Sequence, residues 1–180
     1  MPLIVCPGVH DEASTQAFLQ SLPSFPHRLV FPAHRYPAYS PNHVLEWLLP
    51  QRRWESGLCF VAFSAGTVGA LGAARQLYRS GHQPVRGLIA IDGWGVPLIE
   101  PFPVHRLSHD EFTHRTSLLL GPQGGDHFYA DPPVAHLELW RSPHRVSGQC
   151  VAPSAPQQQT TAAAFLSLLI RRYCRVDPIA

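Results

Sequence analysis

The chain has 180 residues, enough for one domain with a substantial core and too few for two domains of ordinary size. Hydrophobic residues make up 45% and charged residues 14%, as in folded globular proteins, and no apolar run approaches the roughly 20 residues of a membrane span. The net charge of +2 comes from arginines scattered along a chain without lysine, which argues against a nucleic-acid partner.

Six segments are predicted to be strands. Most are continuous apolar runs, which are typical of a parallel sheet covered on both faces. They are Leu3–Cys6, Arg28–Phe31, Leu58–Phe63, Val85–Ile91, Thr116–Leu120 and His136–Trp140. The first of them begins close to the start of the chain, without the positive region of a secretion signal, so we expect a cytoplasmic protein.

Helical segments alternate with these strands through residue 91. They are predicted at Asp11–Leu22, from Ser40 to about Trp54, at Ala65–Arg79 and at Gln157–Tyr173. This alternation predicts a single domain over residues 1–180, built as a three-layer α/β/α sandwich around a mainly parallel sheet of about six strands. Active sites in such sheets lie at the carboxyl ends of the strands.

The most informative strand end is at Ser64. The apolar run Leu58–Phe63 stops there, and a helical run of small residues begins at Ala65. A strand–turn–helix of this kind is a nucleophile elbow, in which the residues two before and two after the nucleophile must be small. Ala62 and Gly66 occupy those places. Such a turn exposes the serine hydroxyl, and the N–H of Ala65 faces the same space.

Three other strand ends carry polar residues. The first strand runs into Pro7-Gly8-Val9-His10, where the N–H of Val9 or His10 can complete an oxyanion hole with the N–H of Ala65. Asp126 follows a glycine-rich turn after the fifth predicted strand, and His144 follows the sixth.

In the order Ser64, Asp126, His144, the chain resembles the α/β-hydrolase superfamily, in which the acid follows the penultimate strand and the histidine the last. The resemblance implies Ser64 as nucleophile, His144 as general base and Asp126 as the residue that orients the imidazole. His144 follows Asp126 by only 18 positions, so His127 and His136 are alternatives for the histidine, and His10 could also reach the site. Asp92, after the strand Val85–Ile91, is the alternative acid, since some members place it there.

The segment of about residues 93–115 is predicted to be a short lid-like insertion. In the resembled fold it overhangs the nucleophile, so Trp94, Phe102 and Phe112 are expected as apolar walls of an acyl pocket. His105, His109 and His114 also lie here, but the capping box from Ser108 to Glu111 starts a helix after His105 and separates the three. We therefore expect no metal site.

These observations predict a serine hydrolase that cleaves an ester or thioester of a modest apolar acyl group through an acyl-enzyme on Ser64, without a cofactor. Its partner is then a small-molecule substrate. Two alternatives remain. A catalytically silent domain could keep the fold and bind a partner through its rim of prolines and aromatic residues, and an acyltransferase could use the same residues.

Overall fold

The structure, a computed structural model, describes residues 1–25, 27–51, 55–81, 83–93, 95–121, 124–153 and 155–174. Within these ranges the chain forms eight strands and six helices. The strands are β1 (Leu3–Cys6), β2 (Arg28–Val30), β3 (Leu58–Phe63), β4 (Val85–Ile91), β5 (Val104–Ser108), β6 (His127–Ala130), β7 (Ser147–Ala152) and β8 (Ala155–Thr161). The helices are α1 (Glu12–Ser21), α2 (Pro41–Leu48), α3 (Ala65–Ser80), α4 (Glu111–Leu118), α5 (His136–Arg141) and α6 (Ala162–Tyr173).

All eight strands belong to one sheet in the order β2-β1-β3-β4-β5-β6-β7-β8. The strands from β2 to β6 are parallel, and the hairpin of β7 and β8 continues the sheet in antiparallel pairing. The carboxyl ends of β3, β4, β5 and β6 therefore meet at the same edge, which is where loops can build a site.

Helices cover both faces of the sheet because its strands bury side chains on both sides. One core cluster joins α1, α5 and α6 to strand residues such as Val61 and Phe63. The other joins α2 and α3 to Phe60 and Ala62 on the opposite face. All six residues of β3 are buried, as its continuous apolar sequence requires. The predicted α/β class with a mainly parallel sheet is confirmed.

The number of strands is eight, not about six. The prediction missed two strands of the parallel part, β5 and β6, and β5 lies inside the segment predicted to be an insertion at 93–115. The β5 sequence, Val-His-Arg-Leu-Ser, contains three polar residues although four of its five residues are buried. The segment 93–115 thus contributes an inner strand of the sheet, and part of α4 follows it.

Two segments predicted to be strands are helical. Thr116–Leu120 contains the end of α4, which Asp110 caps by accepting a hydrogen bond from the Thr113 N–H at 2.6 Å. Its three leucines are not buried. His136–Trp140 lies in α5, where Leu139 and Trp140 supply the buried side. Short apolar runs fit either a strand or one face of a helix. In α4 the buried side is supplied by Thr113, His114 and Ser117 instead of the leucines.

The carboxyl-terminal region also differs from the prediction. The closing helix begins at Ala162, where Thr161 accepts a hydrogen bond from the Ala164 N–H, rather than at Gln157. The polar run before it forms β8, an exposed edge strand of the hairpin. None of the helices in the described ranges is long and apolar enough to cross a membrane.

Candidate functional site

Ser64 sits on a strained turn between β3 and α3. Its φ is 51° and its ψ is −124°, a backbone conformation that L-residues other than glycine rarely adopt. The turn is tight because α3 starts against the loop after β1: a Cβ atom on Gly66 would lie 2.3 Å from the carbonyl oxygen of Cys6. The Ser64 hydroxyl accepts no capping hydrogen bond from α3, so the serine is not an ordinary N-cap.

The loop after β1 lies directly beside Ser64. A Cβ atom on Gly8 would be 3.1 Å from the Ser64 Cβ, so only glycine allows this approach without displacement. Val9, the next residue, is 79% exposed. The loop after β1 and the start of α3 therefore pack against each other at Ser64, while Gly8 and His10 line a separate cavity. That Val9 or His10 donates to an oxyanion together with Ala65 stays a prediction.

Asp92 lies directly after β4, as Ser64 lies directly after the neighbouring strand β3. It follows β4, has a φ of 48°, and its side chain is only 1% exposed. One carboxylate oxygen, Oδ1, accepts a hydrogen bond from the His109 backbone N–H at 2.9 Å. The other, Oδ2, lies 2.9 Å from His109 Nδ1 and 2.8 Å from His136 Nδ1. Two imidazoles thus share one buried carboxylate oxygen.

Ser64 and Asp92 share a further property. They are the only two residues with positive φ, apart from glycines, in the part of the chain that the structure describes. Each such conformation costs on the order of 1–3 kcal/mol, and it persists where the surrounding fold enforces it. Ser64 and Asp92 end neighbouring strands, so the strain is concentrated at one short stretch of the sheet edge.

His136 is the first residue of α5 and is placed by two contacts. Its Nδ1 bonds to Asp92, and its ring stacks on Phe63, the residue before Ser64, with centroids 4.6 Å apart and planes 25° apart. Trp140, one helical turn later, stacks on the same phenyl ring at 5.0 Å. With Nδ1 engaged, His136 keeps Nε2 for another partner, and its side chain is half-exposed.

His109 follows β5 and lies between two carboxylates. Besides the Nδ1 contact to Asp92, its Nε2 lies 3.4 Å from Asp110 Oδ2. The hydrogen bond to Asp92 raises the pKa of His109, and the negative charges of Asp92 and Asp110 add to this effect. Its carbonyl oxygen also accepts a hydrogen bond from Val134, which ties the β5 end to the loop before α5.

A cavity of about 590 Å³ opens above these residues. Ser64, Asp92, His109 and His136 all line it, together with Asp110 and Thr113. Its apolar walls come from four residues, Ala65, Val68, Val96 and Phe112. The cavity can therefore hold a small ligand with an apolar part next to the Ser64 hydroxyl.

The structure does not bring Asp126 to this cavity. Asp126 immediately precedes β6, so it lies at the amino end of a strand, and its carboxylate bonds to Arg172 at 2.5 Å. The reason is the placement of the strands: residues 116–120 end a helix, and β5 runs where that strand was expected. The predicted acid is on the opposite edge of the sheet from Ser64.

The predicted histidine, His144, is exposed in the turn between α5 and β7 and does not line the cavity. His127 is buried in β6, where its ring faces His114 at 5.6 Å. His10 lies near the site, but its Nε2 bonds to the Thr15 hydroxyl at 2.9 Å. Burial lowers the pKa of His10 and of His127, so both are neutral at pH 7.

One of the residues predicted as pocket walls, Phe112, lines this cavity. It is 71% exposed on α4. Phe102 is buried and lines a different cavity at the amino ends of the strands. Trp94 lies outside the described residues. Val68 and Val96 are walls that the sequence did not indicate, because nothing distinguishes them from core residues of the same type.

His109 lies in the site, but the sequence did not predict it as part of the site around Ser64. The sequence groups it with His105 and His114 as possible metal ligands, and the structure separates those three. His105 bonds to the Tyr173 hydroxyl at 2.7 Å, and His114 stacks on Tyr129 at 5.0 Å. The signal that could have found His109 is its position directly after a strand, but β5 itself was not recognised.

No protein-family model matches the chain, and no curated protein sequence matches it. Within the described residues, Ser64, Asp92 and His136 line one cavity, and no hydrogen bond joins the Ser64 hydroxyl to a histidine. Catalytic hydrogen bonds are often long or open in a free enzyme and tighten when the substrate binds.

Proposed function

We propose that this protein is a serine hydrolase of the α/β-hydrolase type, with Ser64 as nucleophile, His136 as general base and Asp92 as the residue that orients the histidine. The observation that carries the proposal is the strained turn at Ser64, which faces a cavity also lined by an imidazole bonded through Nδ1 to a buried carboxylate. Strain of this kind occurs where a fold enforces an unfavourable conformation for function. The chain order of serine, acid and histidine is the one that the resemblance implies.

In the first half of the reaction, the Ser64 Oγ attacks the carbonyl carbon of the substrate, and His136 Nε2 accepts the hydroxyl proton. The negative charge that develops on the carbonyl oxygen is stabilised by backbone N–H groups, for which Val9 and Ala65 are the candidates. His136 then gives its proton to the leaving oxygen or sulfur as the bond to the acyl carbon breaks. The acyl group stays on Ser64.

In the second half, His136 takes a proton from a water molecule, which attacks the acyl-enzyme. The acid is released, and the proton returns to Ser64. Asp92 keeps the Nδ1 proton of His136 in place throughout, so that Nε2 presents its lone pair to the serine. Burial at 1% exposure and three hydrogen bonds hold the Asp92 carboxylate in position.

The cavity supports a modest, largely apolar acyl group. Its walls at Val68, Val96 and Phe112 are hydrophobic, and its volume of about 590 Å³ suits a small ligand. An ester and a thioester fit the same machinery, and so does transfer of the acyl group to an acceptor other than water.

Labelling with a fluorophosphonate probe tests the nucleophile without a known substrate. The purified protein should be labelled, and Ser64→Ala should abolish the labelling. Ser56→Ala is the matched control, because Ser56 is an exposed serine just before β3, at the opposite end of the same strand. Labelling that survives in Ser64→Ala would place the reactive serine elsewhere, and no labelling of the folded wild-type protein would favour a binding domain.

A further inference from the structure

We propose that Asp92, His109 and His136 form a binding site for a divalent transition metal of the zinc type, and that the bound ion switches the hydrolase off. The three side chains offer one ligand atom each, and these atoms all lie within 4.8 Å of one another. Metal binding is argued from this cluster alone, whereas inhibition rests on the proposed hydrolase function.

The donor set matches the chemistry of zinc. Two imidazole nitrogens and one carboxylate oxygen are common zinc ligands, at about 2.0–2.2 Å, and such ligand atoms are about 3.4 Å apart in a tetrahedral site. Asp92 Oδ2 lies 2.9 and 2.8 Å from the Nδ1 atoms of His109 and His136. The carboxylate has to retreat by about half an ångström to admit an ion of this size.

The arrangement holds one more imidazole than the proposed triad needs. A serine hydrolase requires one histidine on the acid, but Asp92 Oδ2 contacts two, whose rings are nearly perpendicular with centroids 5.8 Å apart. The two histidines come from different segments, His109 directly after β5 and His136 at the start of α5, and both Nδ1 atoms contact the same oxygen. A metal ion would use all three groups, which gives His109 a role that hydrolysis does not.

The site is accessible and leaves room for a fourth ligand. His109 is 26% exposed and His136 is 47% exposed, while Asp92 is buried beneath them. All three line the open cavity of about 590 Å³, from which water can complete the coordination shell. Nearby, the Asp110 carboxylate at 3.4 Å from His109 Nε2 can hold the imidazole in orientation as a second-sphere partner.

Inhibition follows from the tautomer of His136. Without the ion, Nδ1 carries the proton donated to Asp92, and Nε2 has the lone pair that accepts the Ser64 proton. When Nδ1 binds a metal ion, the ring proton resides on Nε2. That atom can no longer act as a base, and Asp92 is bound to the ion as well. As long as the metal ion is bound, His136 cannot act as the general base.

The binding test uses Zn²⁺ and the Ser64→Ala variant, so it does not depend on any activity. Isothermal titration should show one Zn²⁺ per chain, Co²⁺ should give the intense visible absorption of a four-coordinate site, and Zn²⁺ should raise the melting temperature. Adding His109→Gln should weaken Zn²⁺ binding by about tenfold or more, since a ligand is lost. His144→Gln, which changes an exposed histidine outside the cavity, should leave binding unchanged.

The inhibition test uses the wild-type protein and the fluorophosphonate probe. Zn²⁺ should suppress labelling of Ser64, chelation by EDTA should restore it, and His109→Gln should need about tenfold more Zn²⁺ for the same fractional loss. Circular dichroism confirms that the variants are folded, and Asp92→Asn provides a second ligand variant for the binding test.

If His109→Gln and Asp92→Asn are folded and bind Zn²⁺ with unchanged affinity, the proposed metal site is wrong. One-to-one binding at this cluster with undiminished labelling would overturn the inhibition. If the wild-type protein is never labelled but Zn²⁺ still binds through His109, the proposed hydrolase function fails and the metal site stands.

Discussion

The imidazole of His136 stacks on the phenyl ring of Phe63, with centroids 4.6 Å apart. Because Phe63 is the residue before Ser64, this contact joins the proposed base directly to the strand that ends in the proposed nucleophile. Trp140 stacks on Phe63 at 5.0 Å, and Phe18 of α1 stacks on Trp140 at 3.6 Å. The histidine is thus the outer member of an aromatic column that reaches into the core.

Phe63→Leu should lower kcat by about tenfold with little change in KM, because His136 loses the surface that fixes its ring while the cavity walls remain. Hydrolysis of a p-nitrophenyl ester of a short fatty acid would measure this. Phe18→Leu is the control: it removes a comparable ring from the inner end of the column without touching His136. Equal losses of kcat in the two variants would show a general packing effect and contradict the positioning role.

Substitutions in the two candidate acid–histidine pairs show which pair supports catalysis. Asp92→Asn and His136→Gln should each reduce kcat by about 10²–10⁴-fold, as expected when a general base or its orienting partner is lost. Asp126→Asn and His144→Gln should keep kcat within about threefold of wild type, since neither side chain lines the cavity. Ester hydrolysis by all four variants decides between the pairs, and a large loss in His144→Gln would reinstate the pair expected from sequence.

The elbow could be predicted from sequence because its signals are local. A buried strand of six apolar residues, a serine, and a helix with Gly66 at the point of closest approach all lie within a few positions of one another. The acid and the histidine depend on which strand ends meet, and that is a property of the whole sheet. Here the polar residues His105 and Arg106 concealed β5, although both are buried.

The wrong assignment of residues 116–120 decided the choice of the acid. With residues 116–120 taken as a strand, Asp126 falls at a carboxyl end, whereas in the structure it precedes β6 and lies at the amino end. Asp92 remained available as the alternative acid because it follows β4 under either assignment. His136 opens the segment 136–140 under both assignments, and in the structure that segment is α5, which follows β6.

Replacing His127 should make the protein less sensitive to acid. Burial, with the positive charges of His114 and Arg106 nearby, lowers the pKa of His127 from 6.5 to about 4. The unfolded chain therefore binds more protons than the folded one between these values, and the free energy of unfolding falls as the pH drops from about 6.5 towards 4. At pH 5 this one group destabilises the fold by about 2 kcal/mol.

His127→Leu should abolish that loss, so urea unfolding at pH 7 and pH 5 should show a smaller difference than in wild type. The variant should also be about 1 kcal/mol more stable at pH 7, because neither ring nitrogen of His127 has a hydrogen-bond partner among the described residues. His144→Gln, at an exposed position, serves as the control. A pH dependence identical to wild type in His127→Leu would show that His127 is not protonated on unfolding in this range.

Asp110 should make the cavity select against anionic substrates. Burial acts to raise the pKa of Asp110, but hydrogen bonds from Thr113 and the charge of His109 lower it overall, so the carboxylate is ionised at pH 7. It lines the cavity beside His109, and no arginine is among the described lining residues. A negative charge on the acyl group would therefore meet repulsion of about 1 kcal/mol.

Asp110→Asn should raise kcat/KM about fivefold for a p-nitrophenyl monosuccinate, relative to the change for the neutral butyrate ester. Asparagine keeps the cap on α4, because its side-chain oxygen accepts the Thr113 N–H as the aspartate does, so the fold of the cavity wall is preserved. The ratio of the two kcat/KM values is the informative quantity, since any change in His109 affects both substrates alike. A ratio that stays at the wild-type value would mean that the acyl group does not approach Asp110 and enters along the wall formed by Val68 and Val96 instead.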